Sequence, residues 1–246
     1  MSRKTILLAS VAGALLASAP ARAEGLYLSA FGGANFVKSQ DGSFRSGFNT
    51  VVEHFDPDTG FLLGAALGVG LDHWLHGLKV EIEPSYRRND VGGHWQVNSE
   101  VLLNALALPN GDISGNMSTF ALMANAWYEF DIGSRFKPYV GGGAGWARSQ
   151  IDGVLDRPLL RGAAIAALSA NPFNGFSVEN SGFAYQLGFG ITSQIMPGVS
   201  LGLGYRFFDG PNTELFFGGK LLVSNQPIKF QDQNQSVALS LNIDIN

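Results

Sequence analysis

Leu78-Lys-Val-Glu-Ile-Glu-Pro-Ser-Tyr-Arg87 divides by parity into two unlike faces. The odd positions are Lys79, Glu81, Glu83, Ser85 and Arg87; the even positions are Leu78, Val80, Ile82, Pro84 and Tyr86. A period of two is the mark of a β-strand, because successive side chains leave opposite sides of the backbone. One face of this strand seeks charge or water and the other seeks an apolar medium.

The same division recurs along the chain. Phe120, Leu122, Ala124, Ala126 and Tyr128 alternate with Thr119, Ala121, Met123, Asn125 and Trp127. Val237, Leu239, Leu241, Ile243 and Ile245 alternate with Ala238, Ser240, Asn242, Asp244 and Asn246. Elsewhere the second face carries glycine. Phe61, Leu63, Leu67 and Val69 oppose Gly60, Gly64, Gly68 and Gly70, while Leu201, Leu203 and Tyr205 oppose Gly202, Gly204 and Arg206. Glycine fits the crowded inner side of a small closed sheet, where larger side chains meet across the axis.

Eight strands are expected: residues 25–37, 60–71, 78–88, 118–130, 136–148, 182–195, 199–208 and 236–245. Each reaches the ~9 to 11 tilted residues that cross a bilayer. Their connections alternate between short (72–77, 131–135, 196–198) and long (38–59, 89–117, 149–181, 209–235). That rhythm fits a transmembrane eight-stranded antiparallel up-and-down β-barrel with four long external loops. A ten-stranded variant follows if Glu214-Leu-Phe-Phe-Gly-Gly-Lys-Leu-Leu-Val223 crosses as well. A soluble sandwich would need a polar outer face, and the face opposite the charges is apolar throughout.

Composition agrees. Only 15% of the 246 residues are charged, well below the quarter usual in soluble domains, and 46% are apolar. Disorder is excluded on those grounds, and the net charge of -4 argues against nucleic acid as a partner. Without cysteine there is no disulfide, thiolate metal site or thiol nucleophile. Residues 1–23 read as a secretory signal peptide: Arg3 and Lys4, an apolar core from Ile6 to Ala17, then Ala21-Arg22-Ala23 for cleavage. The barrel domain is expected over 24–246.

Gly25-Leu-Tyr-Leu-Ser-Ala-Phe-Gly-Gly-Ala-Asn35, Phe136-Lys-Pro-Tyr-Val-Gly-Gly-Gly-Ala-Gly145, Gly188-Phe-Gly190 and Leu203-Gly-Tyr-Arg-Phe207 carry a resemblance. The chain resembles the small eight-stranded outer-membrane proteins of Gram-negative bacteria, the opacity-protein-like, outer membrane β-barrel domain, porin-like family. The resemblance implies a bacterial outer-membrane location and partners in outer-membrane lipid, lipopolysaccharide and the barrel-assembly machinery. It also implies an external ligand or host surface met by the loops. Such barrels usually end in an aromatic residue, and this chain departs from that pattern with Ile243-Asp-Ile-Asn246.

Inside the barrel, Lys79, Glu81, Glu83, Arg87, Glu129, Lys137, Arg206 and Asp244 are expected to face one another as a lumen charge network. In a narrow, weakly polar interior such charges have to pair. Glu81 and Glu83 stand about 7 Å apart on one strand face, a spacing that also suits acid–base chemistry. An ion-paired plug explains them better. His73 and His76 share a short turn with Asp72, too few donors to make a metal site, and His54 and His94 are expected in different external loops with no fixed geometry. No cofactor, metal or catalytic residue is expected. The expected function is non-enzymatic, in envelope structure and surface interaction. A narrow porin-like channel for ions or small solutes is the alternative, and a lipid-acting barrel enzyme a more distant one.

Overall fold

The computed structural model describes residues 25–46, 49–99, 110–155, 176–215 and 228–245. The leader expected at 1–23 lies outside them. The strands are β1 (Leu26–Val37), β2 (Gln40–Ser46), β3 (Asn49–Pro57), β4 (Gly60–Gly70), β5 (Leu78–Ser99) and β6 (Asn110–Glu129). They continue as β7 (Phe136–Leu155), β8 (Phe176–Met196), β9 (Val199–Asp209), β10 (Thr213–Leu215), β11 (Ile228–Phe230) and β12 (Gln233–Asp244).

Eight of these close a ring in the order β5-β4-β1-β12-β9-β8-β7-β6, with β6 returning to β5. Every pairing in it is antiparallel. The fold is therefore the expected eight-stranded barrel. Among the described residues β10 pairs with β11 in a separate two-stranded sheet, and most of the 214–223 segment on which the ten-stranded variant rested lies outside the described residues. The hairpin β2–β3 is bonded outside the ring, against the far end of β5.

The short turns form where expected. Gly77 and Gly198 sit in them at φ +84° and +75°, a left-handed conformation that side-chain-bearing residues rarely adopt. A Cβ at Gly77 would also lie 2.1 Å from the Glu129 carbonyl oxygen.

Burial is inverted relative to a water-soluble protein. Leu28, Leu63, Leu122, Phe183, Phe189, Leu203 and Leu239 are exposed on the outward face, whereas Asn35, Glu83, Arg87 and Gln186 are fully buried inside. In water, that much continuous exposed apolar surface would be untenable for a monomer. Hydrocarbon suits it. The inner glycines make room for rings, since a Cβ at Gly64 would meet the Phe31 ring at 2.3 Å, and one at Gly68 the Tyr27 ring at 2.3 Å. Aromatic side chains can therefore lie flat across the wall.

Four ring strands run well beyond their expected ends. β5, β6, β7 and β8 run 22, 20, 20 and 21 residues, against 11 or 12 for β1, β4, β9 and β12. The apolar alternation ends near Tyr86, Phe120 and Phe183, but the backbone ladder continues. Beyond those aromatics the outward face turns polar. Outward positions become Arg88, Asp90, Arg148 and Glu179, with an Arg148–Glu179 ion pair, while the inward side mixes buried Met117 and Ile151 with buried Asn89 and Ser149. That change marks where lipid gives way to water. The long strands thus form a tall wall above the apolar band, and within the loops expected at 89–117 and 149–181 residues 89–99, 110–117, 149–155 and 176–181 are strand.

Leu203→Arg is expected to lose roughly 2–4 kcal/mol of stability in lipid, since it puts a charge on the hydrocarbon face. Gly68→Val is expected to destabilise differently, by pushing Tyr27 off its place inside. Urea unfolding from vesicles, followed by tryptophan fluorescence, checks both; an unchanged midpoint for Leu203→Arg would refute the face assignment.

Candidate functional site

Parity places every second residue of β5 on the lumen side, and strand register sets what each one meets. Glu81 lies opposite Asn125 and Glu83 opposite Met123 on β6. The inward side chains stack in layers from the short-turn end upward.

At the lower mouth, Lys79 Nζ lies 2.7 Å from Glu129 Oε2, and the Thr192 hydroxyl donates to the other Glu129 oxygen. Above them, Glu81 accepts hydrogen bonds from Trp127 Nε1 at 2.6 Å, Tyr27 Oη at 2.9 Å and Asn125 Nδ2 at 3.1 Å. Glu83 then accepts from Arg206 Nη1 at 2.5 Å, Asn125 Nδ2 at 2.9 Å and Gln186 Nε2 at 3.2 Å. The Arg206 guanidinium also lies 4.1 Å from the centre of the Phe31 ring, so its charge is held on a π face as well.

Two buried apolar clusters adjoin this layer, Ala121, Met123, Ala147, Ala184 and Phe208 in one and Phe31, Leu62 and Ala238 in the other. Arg87 stacks on Phe208 at 3.9 Å and donates to Ser85 Oγ at 3.1 Å, while its Nε and Nη2 meet no protein acceptor. A polar cap completes the stack. Asn35 Nδ2 donates to Asn89 at 2.6 Å and to Asn234 at 2.7 Å. Asp232 accepts from Thr119 at 2.9 Å, from Asn234 at 2.5 Å and from Ser149.

Of the expected network, the structure brings together Lys79 with Glu129, Glu81 with its neutral donors, and Glu83 with Arg206. Arg87 is inside but stacks on a ring. Lys137 and Asp244 are corrections: both are exposed at the rim beside the short turns. Their parity is right, but the strand ends project past the filled lumen into water, where a charge needs no partner.

Sequence reasoning did not single out Tyr27, Asn35, Asn125, Trp127, Gln186 or Asn234 as site residues, although each shares the inward parity. Asp232 was beyond reach, since it lies in the connection between β11 and β12.

The Glu81 and Glu83 carboxylates each hold three donors, which leaves little capacity for moving a proton to a substrate. Below them lies a cavity of about 60 Å³ lined by Tyr27, Lys79, Glu81, Glu129, Tyr139 and Arg206. It has room for a few waters.

Among known proteins, the family model for the outer membrane protein beta-barrel domain matches residues 5–236. The fold is similar to that of Neisserial surface protein A, at 15% identity over 90% of this chain and 98% of that one, with a TM-score of 0.48. It is similar also to the outer membrane protein OprG from Pseudomonas aeruginosa, at 15% identity over 90% and 97% of the two chains, with a TM-score of 0.49. No curated protein matches the sequence.

Arg206→Met strands a fully buried carboxylate at Glu83 and is expected to cost about 3–5 kcal/mol. The double variant with Glu83→Gln is expected to recover most of that. Urea unfolding in vesicles measures both, and a single-variant loss below about 1 kcal/mol would show that the pair does not hold the layer together.

Proposed function

The chain belongs to the outer membrane protein beta-barrel domain family, and from that premise we propose that it acts as a plugged barrel of the bacterial outer membrane. Its work is envelope structure and the presentation of an extracellular wall, without catalysis. The observation that carries this reading is the filled lumen: the Glu83–Arg206–Gln186–Asn125 layer is closed by its own hydrogen bonds, with Leu62, Phe208 and Met123 buried beside it.

The narrow-channel reading has one feature in its favour, the polar cavity at the short-turn end. Against it stands the filling of the lumen, where Leu62, Phe208, Met123, Arg87 and Gln186 are all buried. Eight strands enclose an interior just wide enough for side chains to fill, so a path would require those side chains to move.

Export would proceed through the leader at 1–23, and insertion through the barrel-assembly machinery. In place, the apolar band meets outer-membrane lipid, and the polar wall above Tyr86 and Phe120 stands at the level of lipopolysaccharide sugars. Surface contacts with an external ligand or host fall to that wall and the connections it carries.

Single-channel recording in a planar bilayer tests the reading, using refolded mature protein whose heat-dependent gel mobility shift shows a folded barrel. Silence is expected in most insertions. Steady, discrete openings in most insertions would overturn the plug and establish the channel.

A further inference from the structure

Arg87 is the least satisfied group in the lumen. Its side chain is buried, yet it has one hydroxyl acceptor, Ser85 Oγ at 3.1 Å, and one aromatic face, the Phe208 ring centred 3.9 Å from its guanidinium carbon. Among the described residues its Nε and Nη2 have no acceptor. Those two nitrogens form an edge of the guanidinium suited to pairing bidentately with a carboxylate. A buried cation with that edge unused is poorly compensated, so a carboxylate within reach offers it a competing seat.

Asp232 is within reach. Register sets Arg87 directly opposite Thr119, with Cβ atoms about 4.5–5.5 Å apart, and the Thr119 hydroxyl donates to Asp232 Oδ2 at 2.9 Å. Asp232 is thus one short side chain away from the row in which Arg87 begins, a gap that an extended arginine spans. Its carboxylate is enclosed and held by Thr119, Ser149 and Asn234, all neutral. Three of its roughly four acceptor positions are used, and among the described residues no cation is bonded to it. Glu83, the other carboxylate acting on the charge of Arg87, already has Arg206, Asn125 and Gln186.

The two seats belong to different parts of the molecule. Phe208 is on β9, directly opposite Gln186, whose Oε1 has no donor among the described residues. Asp232 lies in the connection between β11 and β12. Its carbonyl accepts from Gly210 N at 2.9 Å, and a Cβ at Gly210 would lie 2.5 Å from its Oδ2. The external connections therefore hold Asp232 in place, while the barrel wall holds Phe208.

We propose that Arg87 is a two-position arm that gates the lumen: resting on Phe208 it completes the plug, and swung onto Asp232 it vacates the space beside Gln186 and admits small ions. The inference rests on the plugged reading, whose filled lumen is the closed position of the arm. Because the second seat hangs from the external connections, a contact that displaces them shifts the balance between the two positions.

Single-channel recording of the refolded mature barrel in potassium chloride tests the arm. Wild type is expected to give brief, isolated openings in a minority of insertions. Phe208→Leu removes the aromatic seat but keeps an apolar side chain, and should raise their frequency about tenfold, the loss of one desolvated cation–π contact. Asp232→Asn removes the charge of the second seat and Arg87→Met that of the arm. Each should abolish the openings, alone and in the Phe208→Leu background. The gel mobility shift reports folding, and Asp232→Ser or Arg87→Gln replaces a variant that does not shift. Silence in both wild type and Phe208→Leu overturns the proposal, as do openings that survive Asp232→Asn or Arg87→Met. Steady openings in most wild-type insertions overturn the plugged reading instead, and the arm with it.

Discussion

Hydrocarbon offers no hydrogen-bond partner to a peptide group, so a strand can cross a bilayer only if its backbone is satisfied by other strands on both sides. The β5–β6 seam meets that condition for this chain. It runs from Leu78 opposite Tyr128 to Gln96 opposite Asn110 and turns an open sheet into a ring. Without it, β5 and β6 would each present a row of bare amides and carbonyls to lipid. Closure also makes parity global, because once Glu81 points inward on β5, register carries the inward face to Asn125, Gly143 and Gln186 on the next three strands.

From closure follows the inside-out distribution of polarity. The apolar medium lies outside, so Leu239 is 66% exposed while Glu83 is wholly enclosed. A charge inside such a ring has lost its water and keeps its ionised form only if other groups replace that hydration. Glu81 shows that the replacement need not be a cation, since indole, phenol and amide donors supply its hydrogen bonds. Arg87 shows a weaker solution. It has one hydroxyl acceptor and a Phe208 face, with Glu83 and Asp232 acting on its charge from a distance.

How much of this was legible in the sequence depends on which signal carried it. The eight crossing strands were legible because lipid forces alternation, and the turns at Gly77 and Gly198 because short returns need glycine. Inward residues were legible by parity, although attention to charge alone passed over Asn35, Asn125 and Gln186, which do as much bonding as the ionised groups. The upper half of β5 to β8 was not legible. Once strands leave the bilayer, water lies outside and the interior mixes polar with apolar side chains, so the alternation is lost at Tyr86–Arg88 and Phe120–Ser118. The docking of β3 on β5, which sets His54 opposite His94, was hidden for a related reason. It joins a hairpin to a strand 40 positions away, and neither period nor composition reports such a register.

The polar lumen also guards against misalignment. Slipping a strand by one residue moves its whole inward set to the outside. Were the lumen lined with leucine and alanine, such a slip would exchange one apolar face for another at little cost. With Glu81, Glu83 and Arg87 on one strand, a single-residue slip of β5 would put all three charges into hydrocarbon. It would also leave Arg206 and Trp127 without the acceptors they are built around. The ion pair at Glu83 therefore does more for the uniqueness of the fold than for its total stability. An apolar replacement of similar volume could match it in free energy and would lose that discrimination.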